Sequence, residues 1–201
     1  PDVRSTTTDA FGNVTVSVAA QDFEVHGPTG QAKLMSVTTK KNDTSSVDGS
    51  STTTRPYTIK YAYDDQGRML NAFGTRPDKT VEVMTHTVDA FGNETWSTSD
   101  QIYAVIAGQS KMASVTTRSN SISLDGGTTV TAPYTMTYTY YGDEGLKKDA
   151  QGRPLTGSLK YAGSVVGLLK GVTDPTVTTT STDCFGGVTV SVATQDYEVH
   201  Q

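Results

Sequence analysis

The stretch TTTDAFGNVTVSVAAQDFEVH (Thr6 to His26) returns almost unchanged as TSTDCFGGVTVSVATQDYEVH (Thr180 to His200). The spacing is constant, so Pro1 answers to Pro175 and His26 to His200. A third copy lies between them at Asp89-Ala90-Phe91-Gly92-Asn93, continuing to Gln101-Ile102-Tyr103-Ala104-Val105. A fixed internal period restricts the fold more than any other feature, because each copy must form the same supersecondary unit and bury itself against its neighbours. The sequence downstream repeats as well. GQAKLMSVTT (Gly30 to Thr39) answers to GQSKMASVTT (Gly108 to Thr117), and PYTIKYAY (Pro56 to Tyr63) to PYTMTYTY (Pro133 to Tyr140). Asp48-Gly49 answers to Asp125-Gly126, and Gln66-Gly67-Arg68 to Gln151-Gly152-Arg153. The units are therefore 9–88 and 89–182, preceded by the end of one unit at 1–8 and followed by the start of another at 183–201. Both ends of the chain fall at equivalent points inside a unit, as expected of a segment cut from a longer array, since arrays need distinct capping units. A natural two-unit protein with a swapped terminal strand is the alternative.

Period-two alternation identifies the elements as half-buried strands. Tyr57, Ile59, Tyr61 and Tyr63 share one side, as do Tyr134, Met136, Tyr138 and Tyr140. These two rows are expected to form the buried face of the most central strand. Val14, Val16 and Val18 alternate in the same way as Val188, Val190 and Val192, after which Phe23 and Val25 take the opposite parity. That slip predicts a bulge or corner at 19–21, 99–101 and 193–195, with Val18 and Phe23 on one face. Turn residues punctuate the strands: Phe-Gly-Asn, Gly27-Pro28-Thr29-Gly30, Asp48-Gly49, Asp65-Gln66-Gly67 and Asp125-Gly126-Gly127. Each unit then holds four or five strands in an antiparallel meander. The expected fold is all-β, with tandem units of about 80 and 94 residues stacked into an extended ribbon, tube or solenoid-like rod and a small core of Val, Tyr, Phe and Leu. No helical period appears; 165–169 is too short for an independent helix. The second unit carries two insertions, YGDEGLKKDA between Tyr140 and Gln151 and SLKYAGSVVGLLKG between Leu155 and Asp174, where either lengthened hairpins or added binding loops are expected.

Composition narrows the function. Ser and Thr make up about a quarter of the 201 residues, but only 18% are charged and ten are Tyr, which favours a thin pleated structure over disorder. The net charge is −5 with no basic run, which excludes the clustered cations that nucleic acid needs. No apolar stretch approaches the ~18 residues of a membrane-spanning helix.

A catalytic triad needs nucleophile, base and orienting group, but the histidines are His26, His86 and His200, two of them the same repeat position. No catalytic, cofactor-binding or metal-binding residue is assigned, and no cofactor is expected. The acidic turns at Asp64-Asp65, Asp143-Glu144 and Asp149 match no calcium-loop pattern and read as solvated turns. The single cysteine, Cys184, stands where other copies have Ala10 and Ala90, and no disulfide within the chain is possible. Asn13, Asn42 and Asn93 lie in Asn-x-Ser/Thr sequences, and Thr135, Thr137 and Thr139 form a row like those of flat ice-binding faces.

Two segments carry a resemblance. Tyr61-Ala62-Tyr63-Asp64-Asp65-Gln66-Gly67-Arg68-Met69-Leu70 is similar to the Tyr-x-Tyr-Asp-x-x-Gly-Arg-Leu core of the YD (RHS) repeats of large bacterial surface and toxin proteins. Asp89-Ala90-Phe91-Gly92-Asn93-Glu94-Thr95 is similar to that family's Asp-x-x-Gly-Asn-x-Thr element. The resemblance implies antiparallel β-ribbons, coiled into a hollow shell in the toxins. The units here are about four times longer, and Tyr141-Gly142 takes the place of Tyr-Asp in the second. The expected role is a structural module of a large extracellular or cell-surface bacterial protein, forming a rod, tube or filament. Its partners would be neighbouring units and further copies of itself, with no nucleic acid and no membrane insertion in this segment. The alternatives are an adhesin that contacts a glycan or cell-surface partner through the second unit's insertions, and a toxin-encapsulating shell.

Overall fold

The computed structural model describes residues 1–142, 145–154 and 164–199. Among these lie thirteen strands, all paired antiparallel: β1 (Asp2–Thr8), β2 (Val14–His26), β3 (Gln31–Ser45), β4 (Ser51–Thr54), β5 (Tyr57–Tyr63), β6 (Met69–Phe73), β7 (Val81–Val88), β8 (Glu94–Ile106), β9 (Gln109–Ile122), β10 (Thr128–Tyr140), β11 (Leu169–Val172), β12 (Thr176–Thr182) and β13 (Val188–Thr194). Ten form a continuous path in the order β1-β2-β3-β4-β7-β8-β9-β10-β12-β13. The sheet is open, and β1 and β13 are its two edges.

The path is not a simple meander, because β3 branches. Its far end pairs with β4 (Thr44 opposite Thr52) while its middle pairs with β5 (Thr38 opposite Thr58). β5 and β6 form a hairpin off the main path, and β4 passes directly to β7. β10 branches in the same way, pairing β12 near its start and β11 near its end. Residues 9–88 thus hold six strands and 89–182 five, because β10 runs unbroken where β4 and β5 are separate.

The tyrosine strand is accordingly not the most central. β5 lies on a branch, and its hairpin lies against β7, β8 and β9. Tyr57, Ile59, Tyr61 and Tyr63 are half-buried, as are Tyr134, Met136, Tyr138 and Tyr140, with Thr135, Thr137 and Thr139 exposed between them. Burial of the tyrosine face is therefore partial. Of the described hydrophobic residues only Ala72, Val81 and Leu146 are buried, and Phe11, Phe91 and Phe185 lie 80–94% exposed on turns rather than in a core. An accessible surface of 12356 Å² compares with about 9,100 Å² for a compact monomer of this mass.

The slip at 19–21 is a register shift between Val18 and Ala19, and a second follows between Asp22 and Phe23. In both, the extra residue belongs to the partner strand β3 (Lys40, then Met35), so β2 itself keeps alternating and Val18 and Phe23 stay at opposite parity. At 99–101 the prediction fails. The ladder is uninterrupted on both sides, and the single shift comes later, between Ile102 and Tyr103, with Ala113 as the extra residue. At the third site the β12–β13 ladder runs unbroken to its end at Thr194. A bulge displaces the partner that accommodates it, so a parity change in one strand does not say which strand carries the extra residue.

Strand equivalences follow from register. β12–β13 repeats the register of β1–β2 at all seven pairs, displaced by 174 residues. Tyr63 lies opposite Met69, and Tyr140 opposite Leu169, each after a one-residue bulge. The strand returning from the second unit's insertions is therefore Leu169–Val172, not the segment after Arg153. Val165 to Leu168 forms a turn closed by Leu168 N–H donating to Val165 C=O, and the first part of the second insertion, up to residue 163, lies outside the described residues.

One unbroken row of hydroxyl side chains crosses the sheet, and a second row, interrupted between β3 and β4 and with Asn42 in place of a hydroxyl on β3, runs beside it. In the first, Thr7, Thr15, Thr44, Thr52, Thr87, Thr95, Ser121, Thr129, Ser181 and Thr189 stand successively opposite one another, one from each strand of the main path. Four pairs are hydrogen-bonded at 2.8–3.0 Å: Thr15 with Thr44, Thr52 with Thr87, Thr95 with Ser121, and Thr129 with Ser181. Bonded pairs alternate with unbonded ones because opposed residues in antiparallel strands alternate between close and wide spacing. Two residues along the strands, Ser5, Ser17 and Asn42 on one side and Thr54, Thr85, Ser97, Ser119, Thr131, Thr179 and Ser191 on the other form the second row. Cross-strand hydroxyl pairs fix register locally, a task that falls to a large apolar face in ordinary sheets.

Candidate functional site

The acidic turns share one construction. Asp9 accepts from the backbone N–H of Phe11 and Asn13 at Oδ1, and from the Asn13 side-chain amide at Oδ2. Asp89 repeats this with Phe91 and Asn93. Asp64 and Asp149 substitute an arginine for the asparagine: Arg68 Nε and Arg153 Nε donate to Oδ2 at 2.7 and 3.0 Å. Asp183 accepts from the N–H groups of Phe185 and Gly187. The fourth residue is always glycine at φ between 74° and 88°, the left-handed region that glycine enters at no steric cost. The Asp-x-x-Gly-Asn and Asp-x-x-Gly-Arg segments are thus one turn with two fifth residues. These hydrogen bonds hold the carboxyls of Asp9, Asp64, Asp89 and Asp149 below the usual aspartate range; the Asn13 and Asn93 side chains lead for Asp9 and Asp89, the Arg68 and Arg153 backbone N–H for Asp64 and Asp149. Carboxylates engaged this way hold turns, and no group of three metal-ligating side chains occurs among the described residues. Asp143 and Glu144 lie outside them.

The asparagines do a second task. Asn13 Oδ1 accepts from Val47 N–H at 3.2 Å and Asn93 Oδ1 from Leu124 N–H at 3.1 Å, so each hairpin turn is tied to the next. Asn42 accepts from the Ser17 hydroxyl. All three sequon asparagines therefore have side-chain partners in the fold.

The tyrosine of the Tyr-Asp pair also has an assignable task. Tyr63 OH donates to Leu34 C=O at 2.8 Å, and Tyr140 OH to Met112 C=O at 2.7 Å. Tyr63-Asp64 thus corresponds to Tyr140-Tyr141 rather than to Tyr141-Gly142. In the second unit the tyrosine tie stays at Tyr140, while the aspartate turn moves to Asp149.

The histidines stand apart from one another. His26 Nδ1 meets the Thr29 hydroxyl at 3.0 Å, and His200 lies outside the described residues. His86 meets Glu94 at 2.8 Å through Nε2 and stacks on Trp96 with ring centroids 4.9 Å apart. Arg55 and Met84 line the cleft beside that stack, and Arg118, Asn120 and Pro133 line a shallow groove on the other side of Trp96. This aromatic surface carries no sequence periodicity, since the other copies have Val16 and Val190 at the position of Trp96. Beside it, Arg76 donates to Glu82 and Asp100, and Arg118 donates to Asp100. Glu82, Asp100 and Arg118 are half-buried and Arg76 is exposed, so four charges are joined in one network at the sheet surface.

Among the described residues, Tyr103 has the most strongly shifted titration. Burial under the β5–β6 hairpin, with Tyr57 and Tyr61 adding to it, pushes its phenol up to about 12. Its OH donates to Gln101 Oε1 at 2.7 Å, and Gln101 Nε2 donates to Ser99. Cys184 is exposed at the tip of the β12–β13 turn, with no second cysteine to pair with. Thr135 is bonded to Thr116, and Thr139 donates to Gly171 C=O, so two of the three residues in the ice-like row are engaged within the sheet. No helix among the described residues is long and apolar enough to cross a membrane. No family model, curated protein or solved structure matches the chain.

Proposed function

We propose that this chain is a structural repeat module of a large extracellular or cell-surface protein of the YD/RHS-like type, whose units stack into a rod, tube or filament. The observation that carries the reading is the row of hydroxyl side chains, from Thr7 to Thr189, that runs through all ten strands of the main path. Side chains that would line a pocket in an enzyme are here spent on holding strand to strand. The single turn construction used five times supports the likeness to YD repeats, because it gives one physical reason for both of that family's short motifs. An antiparallel ribbon that grows by adding hairpins needs only such turns and cross-strand pairs. Electron microscopy of the full-length gene product on its native cells tests this. Rods or fibres at the cell surface are expected, whereas a compact intracellular particle would overturn the reading, and an enclosed cavity followed by a toxin domain would favour the shell.

A second reading rests on Trp96. An exposed aromatic flanked by Arg118 and Asn120 suits the apolar face and hydroxyls of a pyranose, and would make the module an adhesin. This places binding on the sheet rather than on the second unit's insertions. Glycan-array binding that disappears in Trp96→Ala, with the fold intact, would promote it over the structural role.

A further inference from the structure

The main path of the sheet thins at one place. β4 is four residues long and meets β3 at only two pairs, Thr44 with Thr52 and Ser45 with Ser51, before it pairs with β7. Arg55 and Pro56 follow, and proline has no N–H with which to carry a ladder onward. Nearer its start β3 pairs instead with β5, from Ser36 with Lys60 to Thr39 with Tyr57, and so leads off the path. The equivalent Ala132-Pro133 is passed as a register shift inside an unbroken β10, so the second unit has no such break.

The two branches nevertheless stay together. The β5–β6 hairpin is hydrogen-bonded to β3, on one side of the joint, and packs against β7, β8 and β9, on the other. Ala72, which stands opposite Tyr61 in the hairpin, and Val81, whose backbone lies against Gly74, are two of the three buried hydrophobic residues among those described. Tyr57 and Tyr61 approach Tyr103 of β8 closely enough to help raise its phenol.

The return from β6 to β7 is fastened as well. Gly74 N–H donates to Lys79 C=O at 2.9 Å, and the contact of Gly74 with Thr80 leaves no room for a side chain. From the same loop Arg76 donates to Glu82 of β7 at 3.0 Å and to Asp100 of β8 at 2.8 Å.

We infer that β4 with Arg55-Pro56 is a hinge between β1–β3 and β7–β13, and that the β5–β6 hairpin is the clasp that holds it shut. A hairpin bonded to one side and packed on the other must give up one attachment before the two sides swing apart. Opening exposes Tyr57, Tyr61 and Tyr103 together and strains the few pairs that β4 makes. The clasp stiffens the sheet where bonding within its plane is thinnest, and it does so whether or not further units stack on either side. Local opening of this kind is set by the contacts it breaks, so its rate reports on the clasp.

Hydrogen exchange of the intact chain, followed by mass spectrometry, tests this. Ala72→Asp puts a charge into the packed surface, and circular dichroism checks that the sheet survives. If it does not, Arg76→Gln, which disturbs no buried group, takes its place. The amides of β5 and β6 are expected to exchange faster, and those of β4 and of Thr85–Val88 with them. The expected acceleration at β4 is about tenfold, what the loss of one aromatic contact is worth. The β1–β2 and β9–β10 ladders should keep the parent rates. A released hairpin with β4 and Thr85–Val88 unchanged overturns the inference, since the hairpin would then cover the joint without holding it. Equal acceleration in every ladder also overturns it, because no hinge would separate the two sides, and so does a hairpin that stays fully protected in the variant.

Discussion

Thr52 and Thr87 offer the clearest test of the idea that hydroxyl pairs hold this sheet. Their side chains are hydrogen-bonded at 2.9 Å between β4 and β7. β4 is only four residues long, yet along the main path it alone connects β1–β3 to β7–β13. Valine matches threonine in shape and suits a strand, so Thr52→Val removes the hydroxyl with little steric change. It leaves the Thr87 hydroxyl half-buried without its partner, a loss of about 1 kcal/mol. Thr87→Val should cost about the same. Replacing both removes donor and acceptor together and puts two β-branched methyl groups in contact, which is close to neutral. The double mutant should therefore be more stable than either single mutant, with a coupling of about 1–2 kcal/mol between the sites. Urea denaturation reads this directly. With a slope near the upper end of the usual range, about 3 kcal/mol per molar, each single change lowers the midpoint by about 0.3 M and the double change restores it. Additive losses would refute the reasoning, since they would mean that each hydroxyl contributes independently through solvent rather than through the pair.

Three further outcomes follow from the geometry. Gly74→Ala should be among the most damaging single substitutions, because a Cβ there would fall 1.8 Å from Thr80 O and 2.9 Å from Val81 Cα, beside the most buried side chain; a thermal midpoint unchanged from the parent would contradict this. The Tyr103 phenol, raised to about 12 from an ordinary 10.0, keeps its proton in the fold at a pH where the unfolded chain loses it. Its stabilisation is full below pH 10 and declines as pH rises toward 12, and Tyr103→Phe should flatten that alkaline decline in pH-dependent denaturation. The turn aspartates behave in the opposite sense. Their carboxyls are lowered in the fold, so their contribution is present above the ordinary aspartate value of 3.8 and lost as pH falls below it, and Asp89→Asn should weaken the acid dependence of stability.

Strand identity was legible wherever alternation and turn chemistry agreed. Val14 to Val18, Tyr57 to Tyr63 and the Asp-x-x-Gly turns all lie where their pattern puts them, because a half-buried strand needs period two and a tight turn needs glycine at positive φ. Branching was not legible. Nothing local in Ser51–Thr54 says that it pairs with Val88 rather than continuing into Tyr57, and β10 makes the equivalent run without a break. The position of the core was also obscured. A tyrosine row reads as central in sequence, yet the hairpin carrying it is folded over β8 as a partial second layer. The hydroxyl rows were present in the composition as an excess of Ser and Thr, but their meaning depends on register, which only the pairing of ten strands reveals. Trp96, standing alone where other copies have valine, gave no periodic signal.

The most direct test is whether the chain is one open sheet rather than a closed core. Nine inter-strand gaps of about 4.8 Å span about 43 Å, and the longest strands, 13 to 15 residues, run about 44–51 Å, so the plate's longest dimension is near 60 Å. Small-angle scattering from the monomer, at concentrations below any association, should give that maximum dimension. A maximum dimension near 43 Å, that of a compact sphere with the radius of gyration of about 16–17 Å usual for a domain of this length, would contradict it.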